Sequence, residues 1–168
     1  FPWVRLLCLS ENTGFSHAVN VGIKESKTPY VLLLNNDTVV EHDFVARLEQ
    51  AMEEHPKYFS FSSKMLCMKQ PDVIDDAGDY YCALGWAFAR GKGKPSLRFT
   101  ADGDVFAACA GAAIYRREVF RQIGYFDELH FAYLEDIDIG YRAGLYGYYN
   151  MYEPEAVVYH AGSASSGS

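Results

Sequence analysis

The sequence predicts an α/β fold in which a mostly parallel sheet is flanked by helices. Three observations carry that expectation. Strand-length apolar runs alternate with amphipathic helical segments through the first third of the chain, the pattern of a parallel α/β sheet. One of those runs, Tyr30 to Leu34 (YVLLL), is continuously apolar, as in strands covered on both faces. It ends abruptly in Asn35-Asn36-Asp37, and ligands in such sheets bind beyond the carboxyl ends of strands.

Taken in order, Trp3 to Leu9 (WVRLLCL) reads as a strand. An Asn/Gly turn follows. Phe15, Val19 and Ile23 then recur at i, i+4 and i+8, which predicts a short amphipathic helix. After YVLLL, the segment DFVARLEQAMEEH places Phe44, Leu48, Ala51 and Met52 on one face, and Pro56 stops it. From Lys57 to Asp104 there is little periodicity, and short strands and loops are expected. VFAACAGAAIY predicts a buried strand or turn. RREVFRQIG predicts a short helix closed by Gly124. LEDIDIGYRAGLYG predicts another helix, with Glu135 and Asp136 in its first turn and Gly147 past its end. Ala156 to His160 (AVVYH) reads as the last strand.

Bulk properties narrow the function. A chain of 168 residues is one domain by default, taken here as residues 1–163 with a disordered Ser/Gly tail at 164–168. A formal net charge of -7 argues against a nucleic-acid binder, because phosphate contacts need clustered Lys and Arg. The one basic cluster, RGKGKP (Arg90 to Pro95), reads as a mobile, solvated loop that could touch lipid phosphates. The cysteines at 8, 67, 82 and 109 have no CxxC spacing, so a zinc or redox motif is not expected. Cys8 and Cys109 read as small core residues. A reducing, cytosolic setting fits. No signal peptide or bilayer-length apolar stretch is visible.

Two acidic positions carry the chemistry. Asp37, at a strand tip, has two readings: a turn or helix cap, or a hard-cation ligand, since Mg²⁺ and Mn²⁺ are held by one or two carboxylates plus phosphate oxygens. Glu135, Asp136 and Asp138 fall together in a first helical turn, where the dipole favours acids. Three carboxylates so close also suit a cation or a catalytic task. His160, ending the last strand, is a candidate metal or phosphate ligand.

Five segments in order, ENTGFSHAVNVGI, LLLNND, GAAIYRREVF..IGYFDE, FAYLEDIDIGYRAGLYGY and PEAVVYH..GS, together resemble the family 2 glycosyltransferases, in particular the bacterial rhamnosyltransferase-like branch. The resemblance covers Glu11 to about Ser163. It implies a GT-A fold, Rossmann-like, and inverting transfer of a sugar from a nucleoside diphosphate sugar to an acceptor hydroxyl. NND stands where the family has its DxD metal motif, so Asp37 would bind Mg²⁺ or Mn²⁺. Asn35 departs from a strict DxD and keeps only an amide to offer ribose or diphosphate. Asn12, Gly14 and Asn20 match the segment beside the nucleotide, and Gly111 the small-residue turn that lets the sugar approach. Asp136 matches the general base, with Glu135 as its neighbour, and His160 a late His near metal and diphosphate. The resemblance also implies a cell-surface glycan or lipid-linked acceptor. It places the protein in the cytoplasm, peripherally at the inner membrane face, with rhamnose from its dTDP nucleotide as the favoured donor.

The first strands of the family are not seen in this sequence. The exposed sheet edge that their lack would leave suggests a homodimer. It also leaves open an inactive segment that binds nucleotide sugar or carbohydrate without turnover. A sugar-phosphate nucleotidyltransferase would carry a Gly-rich, Arg/Lys-containing signature near its first strand, and none is present. A non-catalytic interaction module would show no response to divalent cations.

Overall fold

The structure, a computed structural model, describes residues 2–162; the Ser/Gly tail lies outside them. Helix α1 spans Phe15–Glu25, strand β1 Tyr30–Leu34, β2 Thr38–Val40 and helix α2 Phe44–Glu54. Strand β3 (Tyr58–Cys67), β4 (Gln70–Asp76), β5 (Asp79–Tyr81), β6 (Ala87–Ala89), β7 (Gly103–Val105) and β8 (Ala112–Arg116) follow. A short helix α3 (Phe120–Ile123), helix α4 (Glu135–Leu145) and the long strand β9 (Tyr149–His160) complete the described chain.

The main sheet runs β1-β8-β3-β9-β2, with β4 also on β3 and β7 also on β9; β5 and β6 form a separate ribbon. The α/β architecture is as expected, but the sheet is mixed. Strand β8 pairs antiparallel with both β1 and β3, while β3 and β9 are parallel. Strands β1, β3 and β9 therefore share one sense, with β8 reversed between β1 and β3, and β2, β4 and β7 also pair antiparallel with their neighbours. The carboxyl ends of the three co-directional strands still meet at one edge. There Asn35 follows β1, Cys67 of β3 sits opposite His160 of β9, and Gly111 precedes β8.

Helices cover both faces. On one, Ile23 of α1, Phe120 and Ile123 of α3, and Ile139 and Ala143 of α4 pack on Ala113, Tyr115 and Phe59. On the other, Phe44, Leu48, Ala51 and Met52 of α2, the four residues read from the sequence, pack on Ala112, Ile114, Phe61 and Val158. Strand β8 alternates as a strand must. Phe59 and Phe61 should share a face, yet lie on opposite ones. A register shift between Tyr58 and Ser60 in the β3/β9 ladder accounts for this. A second shift, where β9 advances from Glu153 to Val157 against Ser63 and Lys64, accommodates Pro154, which has no N–H for the ladder.

Four expectations are corrected. Trp3 to Leu9 forms no strand: no described strand pairs with it, and Trp3, Val4 and Leu6 stay largely exposed, as does Cys8. Strand β1 is half-buried, with only Val31 inside, because β8 flanks it on one side alone among the described residues. The middle segment holds the central strand β3, whose apolar signal is broken by buried Ser60, Ser62 and Ser63. Those hydroxyls are satisfied: Ser63 Oγ donates to the Ala112 carbonyl (2.7 Å), Ser60 Oγ to Asn150 Oδ1 (2.7 Å), and Ser62 Oγ accepts from Cys109 N–H (3.3 Å). The basic loop is anchored on β4 and its continuation. Gly93 N–H donates to Ile74 O (2.8 Å), Ile74 N–H to Lys94 O (2.9 Å) and Ala77 N–H to Arg90 O (3.1 Å), while Arg90 stacks over Phe99 and Tyr152.

Candidate active site

The turn after β1 is tightly held. Asn35 N–H donates to Gly111 O (2.8 Å), Thr38 Oγ1 donates to Asn35 O (2.6 Å), and Ala161 N–H donates to Asp37 O (3.0 Å). A Cβ at Gly111 would sit 3.3 Å from Asn35 Nδ2 and 3.4 Å from Met65 Cε. The glycine thus leaves room for Asn35 to seat against the β8 entry. The Cα atoms of Asn35 and Asp37 are at most about 7 Å apart, but Asp37 and His160 do not line the cleft that Asn35 enters.

Asn35 lines a cleft of about 400 Å³ together with Phe15, Asp79, Gly111, Glu135 and Asp136. Helix α4 delivers the last two from a strained entry. Tyr133 and Leu134, neither a glycine, adopt φ of 74° and 67°, conformations that cost roughly 1–3 kcal/mol each and cluster at functional sites. Glu135 is buried, and its Oε2 has no hydrogen-bond partner among the described residues. Burial raises the pKa of Asp136, while the N–H groups of Ile137 (2.8 Å to Oδ1) and Ala110, with nearby His130, pull it back. A buried carboxyl with a raised pKa, held by backbone N–H groups, is a group suited to proton abstraction. Burial likewise raises Glu135. The third acid of the helix, Asp138, is taken up structurally: it pairs with Arg142, which also donates to Ile123 O (2.6 Å) and Tyr125 O (2.8 Å), tying α4 to α3.

At the other end of the turn, Asp37 Oδ2 lies 3.3 Å from His160 Nε2, and His160 Nδ1 lies 2.6 Å from Asp75 Oδ2. Thr38 and His160 are cross-strand partners in the β2/β9 ladder, which fixes this contact. Oxygen and imidazole donors at such a spacing match the ligand preferences of Mg²⁺ and Mn²⁺, so Asp37 and His160 fit a divalent ion.

Asn12, Gly14 and Asn20 make contacts within the protein. Asn12 Oδ1 accepts from Gly14 N–H (3.1 Å). Gly14 has φ +83°, and a Cβ there would be 2.6 Å from the Phe131 carbonyl oxygen, so its close backbone approach is to the 131 segment. Asn20, buried on α1, clamps the segment before α4: its Nδ2 donates to Phe126 O (2.8 Å) and Glu128 Oε1 (2.9 Å), and its Oδ1 accepts from Phe126 N–H (3.1 Å).

Sequence reasoning passed over Asp75, Asp76 and Asp79. Asp76 is buried, accepts from Gly78 N–H (2.7 Å), and is raised to about 7 by burial. Asp79 lines the cleft and is raised to about 9 by burial and by the Asp76 and Asp136 charges. Ligand atoms of Asp76, Asp79 and Cys109 all lie within 4.8 Å of one another. The available signal was VIDDAGD, three aspartates and a glycine ending an apolar run.

Residues 2–124 match the model of glycosyl transferase family 2. The chain belongs to glycosyltransferase family 2. It is 44% identical over 197 aligned positions to an N-acetylglucosaminyl-diphospho-decaprenol L-rhamnosyltransferase of Mycobacterium tuberculosis, covering 99% of this chain and 62% of that protein. It is 23% identical to a poly-beta-1,6-N-acetyl-D-glucosamine synthase of Staphylococcus epidermidis, covering 92% of this chain and 36% of that protein. The chain thus spans less than two thirds of either relative. In fold it is similar to GalNAc-T7, solved with UDP, GalNAc and Mn²⁺ (TM-score 0.72, 16% identity, 90% of this chain and 31% of that one). It is also similar to the mannosyltransferase PcManGT of Pyrobaculum calidifontis, solved with GDP-Man and Mn²⁺ (TM-score 0.61, 16% identity, 94% and 39%). This family 2 chain therefore has the GT-A fold.

Proposed function

We propose that this family 2 chain is the catalytic segment of an inverting glycosyltransferase. It moves a sugar from a nucleoside diphosphate sugar to an acceptor hydroxyl on a cell-surface glycan or lipid-linked saccharide. One observation carries the reading: a three-residue turn joins a cleft lined by Asn35, Gly111, Glu135 and Asp136 to the Asp37–His160 pair. Asp37 and His160 would hold Mg²⁺ or Mn²⁺, which neutralises charge building on the departing diphosphate. Asn35 offers its amide to the donor, and Gly111 leaves space beside it. Asp136 Oδ takes the acceptor hydroxyl proton, and the freed oxygen attacks the anomeric carbon on the face opposite the diphosphate, so configuration inverts. Neighbouring Glu135, buried and with its Oε2 unpartnered among the described residues, keeps one hydrogen-bonding position open in the cleft.

The 44% identical relative, by its name a rhamnosyltransferase on a diphospho-decaprenol, supports a dTDP-rhamnose donor and a lipid-linked acceptor. Among the described residues no helix is long and apolar enough to cross a membrane; the lipid-linked acceptor in the relative's name is what supports a place at the inner membrane face. Self-association through the edge of β1 that no strand pairs with among the described residues is also proposed. Calorimetric titration with a panel of nucleotide sugars, with Mn²⁺ and then a chelator, tests the reading. Metal-dependent binding of one donor, lost in Asp37→Ala, is expected. Binding by Asp37→Ala as tight as by the parent would overturn the assignment of the metal site.

A further inference from the structure

We propose that Asp75 is a positioning residue for the metal-binding histidine. It holds His160 as the Nδ1–H tautomer with the Nε2 lone pair turned toward Asp37. The inference rests on the proposed donor-and-metal reading of the site and adds a residue to it.

The two ring nitrogens of His160 are not treated alike. Nδ1 lies 2.6 Å from Asp75 Oδ2, while Nε2 lies 3.3 Å from Asp37 Oδ2. The first is a closed, charge-assisted hydrogen bond; the second is longer than such bonds run, about 2.7–2.9 Å. An ionised carboxylate accepts hydrogen bonds and donates none, so the short contact puts the ring proton on Nδ1. Nε2 is then free to ligate. Two ligands of one octahedral ion with bonds of about 2.1 Å stand about 3.0 Å apart, near the spacing that Nε2 and Asp37 Oδ2 already have.

The backbone fixes this arrangement. His160 ends β9 opposite Cys67 of β3, and Asp75 lies on β4, whose neighbours Ile74 and Asp76 pair with Leu66 and Met65 of the same β3. Histidine and aspartate are thus carried by the two strands flanking the end of one central strand. Asp75 is pinned on its other side as well: its Oδ1 faces Lys92 Nζ at 3.6 Å. Lys92 is largely exposed, so that contact orients more than it stabilises. The loop carrying Lys92 is fastened to Ile74 through Gly93 and Lys94. The basic cluster that read as a solvated loop therefore backs the acid behind the histidine. Asp75 falls at the register shift between the Leu66–Ile74 and Met65–Asp76 pairs, and Asp76, the next residue, is buried.

Mn²⁺ itself is the probe, titrated into the chain without donor and followed by electron paramagnetic resonance. Asp75→Ala is expected to weaken Mn²⁺ binding roughly 10–100-fold, the usual effect of removing a carboxylate behind a metal-bound histidine. Asp75→Asn, whose amide oxygen still accepts from Nδ1–H, is expected to lose clearly less. In the metal-free parent, nitrogen NMR of the neutral His160 ring should show protonated Nδ1 and bare Nε2. In Asp75→Ala the population should move toward Nε2–H. An Nε2–H ring in the parent overturns the proposal even if Asp75→Ala fails to fold. Parent-like Mn²⁺ affinity in a folded Asp75→Ala, with binding abolished in Asp37→Ala, overturns the role of Asp75 and leaves the metal site standing. Absence of Mn²⁺ binding by the parent overturns both.

Discussion

Two glycines of one helix should respond to alanine in opposite directions, and the difference tests how tightly α4 is seated. Gly140 and Gly144 both lie within Glu135–Leu145. Intrinsic helix propensity favours Ala over Gly by about 1 kcal/mol at either position. Nothing lies within 4 Å of the place where a Gly144 methyl would sit, so Gly144→Ala should keep most of that gain. At Gly140 the added Cβ would stand 2.6 Å from Ala107 Cβ, 2.8 Å from the Phe106 carbonyl oxygen and 3.0 Å from Ala107 Cα. Carbon atoms prefer about 3.5–4.0 Å, so the helix and the 106–107 segment must part by about 1 Å. The opposing backbone cannot turn away: Phe106 N–H donates to Asp79 O (2.9 Å), and Phe106 O accepts from Asn150 Nδ2 (2.8 Å). Overpacking costs about 1–3 kcal/mol, and here its upper end applies because two of the three contacts are backbone atoms. After the propensity gain, Gly140→Ala should lose about 2 kcal/mol, a fall in Tm of roughly 4–8 °C at this chain length. Gly144→Ala should gain a few degrees at most. Calorimetric melting of parent and both variants decides it. A Gly140→Ala protein that melts with or above the parent would refute the seating of α4 against Phe106–Ala107.

Other expectations follow from the same contacts. Asp136→Asn keeps the shape of the cleft and removes the proposed base, so turnover should fall about 10²–10⁴-fold, with donor affinity little changed by calorimetry. Asp79 is raised from 3.8 to about 9; the native state therefore binds more protons than the unfolded one, and stability falls as pH rises. The contribution is complete below about pH 4 and lost by about pH 9, with a slope of up to about 1.4 kcal/mol per pH unit. Urea unfolding from pH 5 to 8 should show that decline, flatter in Asp79→Asn. Asn20→Ala strips the buried Phe126 N–H of its acceptor and should cost about 1–3 kcal/mol, read as a lowered urea midpoint with unchanged m-value.

The helices were legible because their signals are local. Phe44, Leu48, Ala51 and Met52 recur at helical spacing and are all buried, and Gly124 and Gly147 follow helix ends with φ of 85° and 81°. The position of Asn35 and Asp37 past a strand end was legible for the same reason. Strand β3 was hidden because its buried face uses serines whose hydroxyls are satisfied by Ala112, Asn150 and Cys109, partners 47 to 90 residues away that no window can see. The direction of β8 is likewise a matter of long-range pairing. Trp3 to Leu9 failed in the opposite way: apolar content predicts a strand, but a strand needs a neighbour. Asp75 was illegible because its meaning depends on His160, 85 residues later.

The charges around the site bear on the order of events in the proposed reaction. Asp76, Asp79, Glu135 and Asp136 gather at the cleft, and Asp37 and Asp75 stand beyond the turn. The basic groups facing them are His130, His160 and the exposed Lys92. A nucleoside diphosphate brought to this surface alone would meet net repulsion. The two halves relieve it differently. Beneath the cleft, burial keeps Asp79 protonated at neutral pH and leaves Asp76 near its midpoint, which spares Asp136 part of its neighbours' charge. Beyond the turn, the Asp37 side chain is 32% exposed, within reach of an ion from solvent, and its carboxylate is left for that cation to neutralise. Donor affinity in this chain should therefore be almost wholly conditional on the divalent ion, and by linkage the donor should tighten the ion by the same factor.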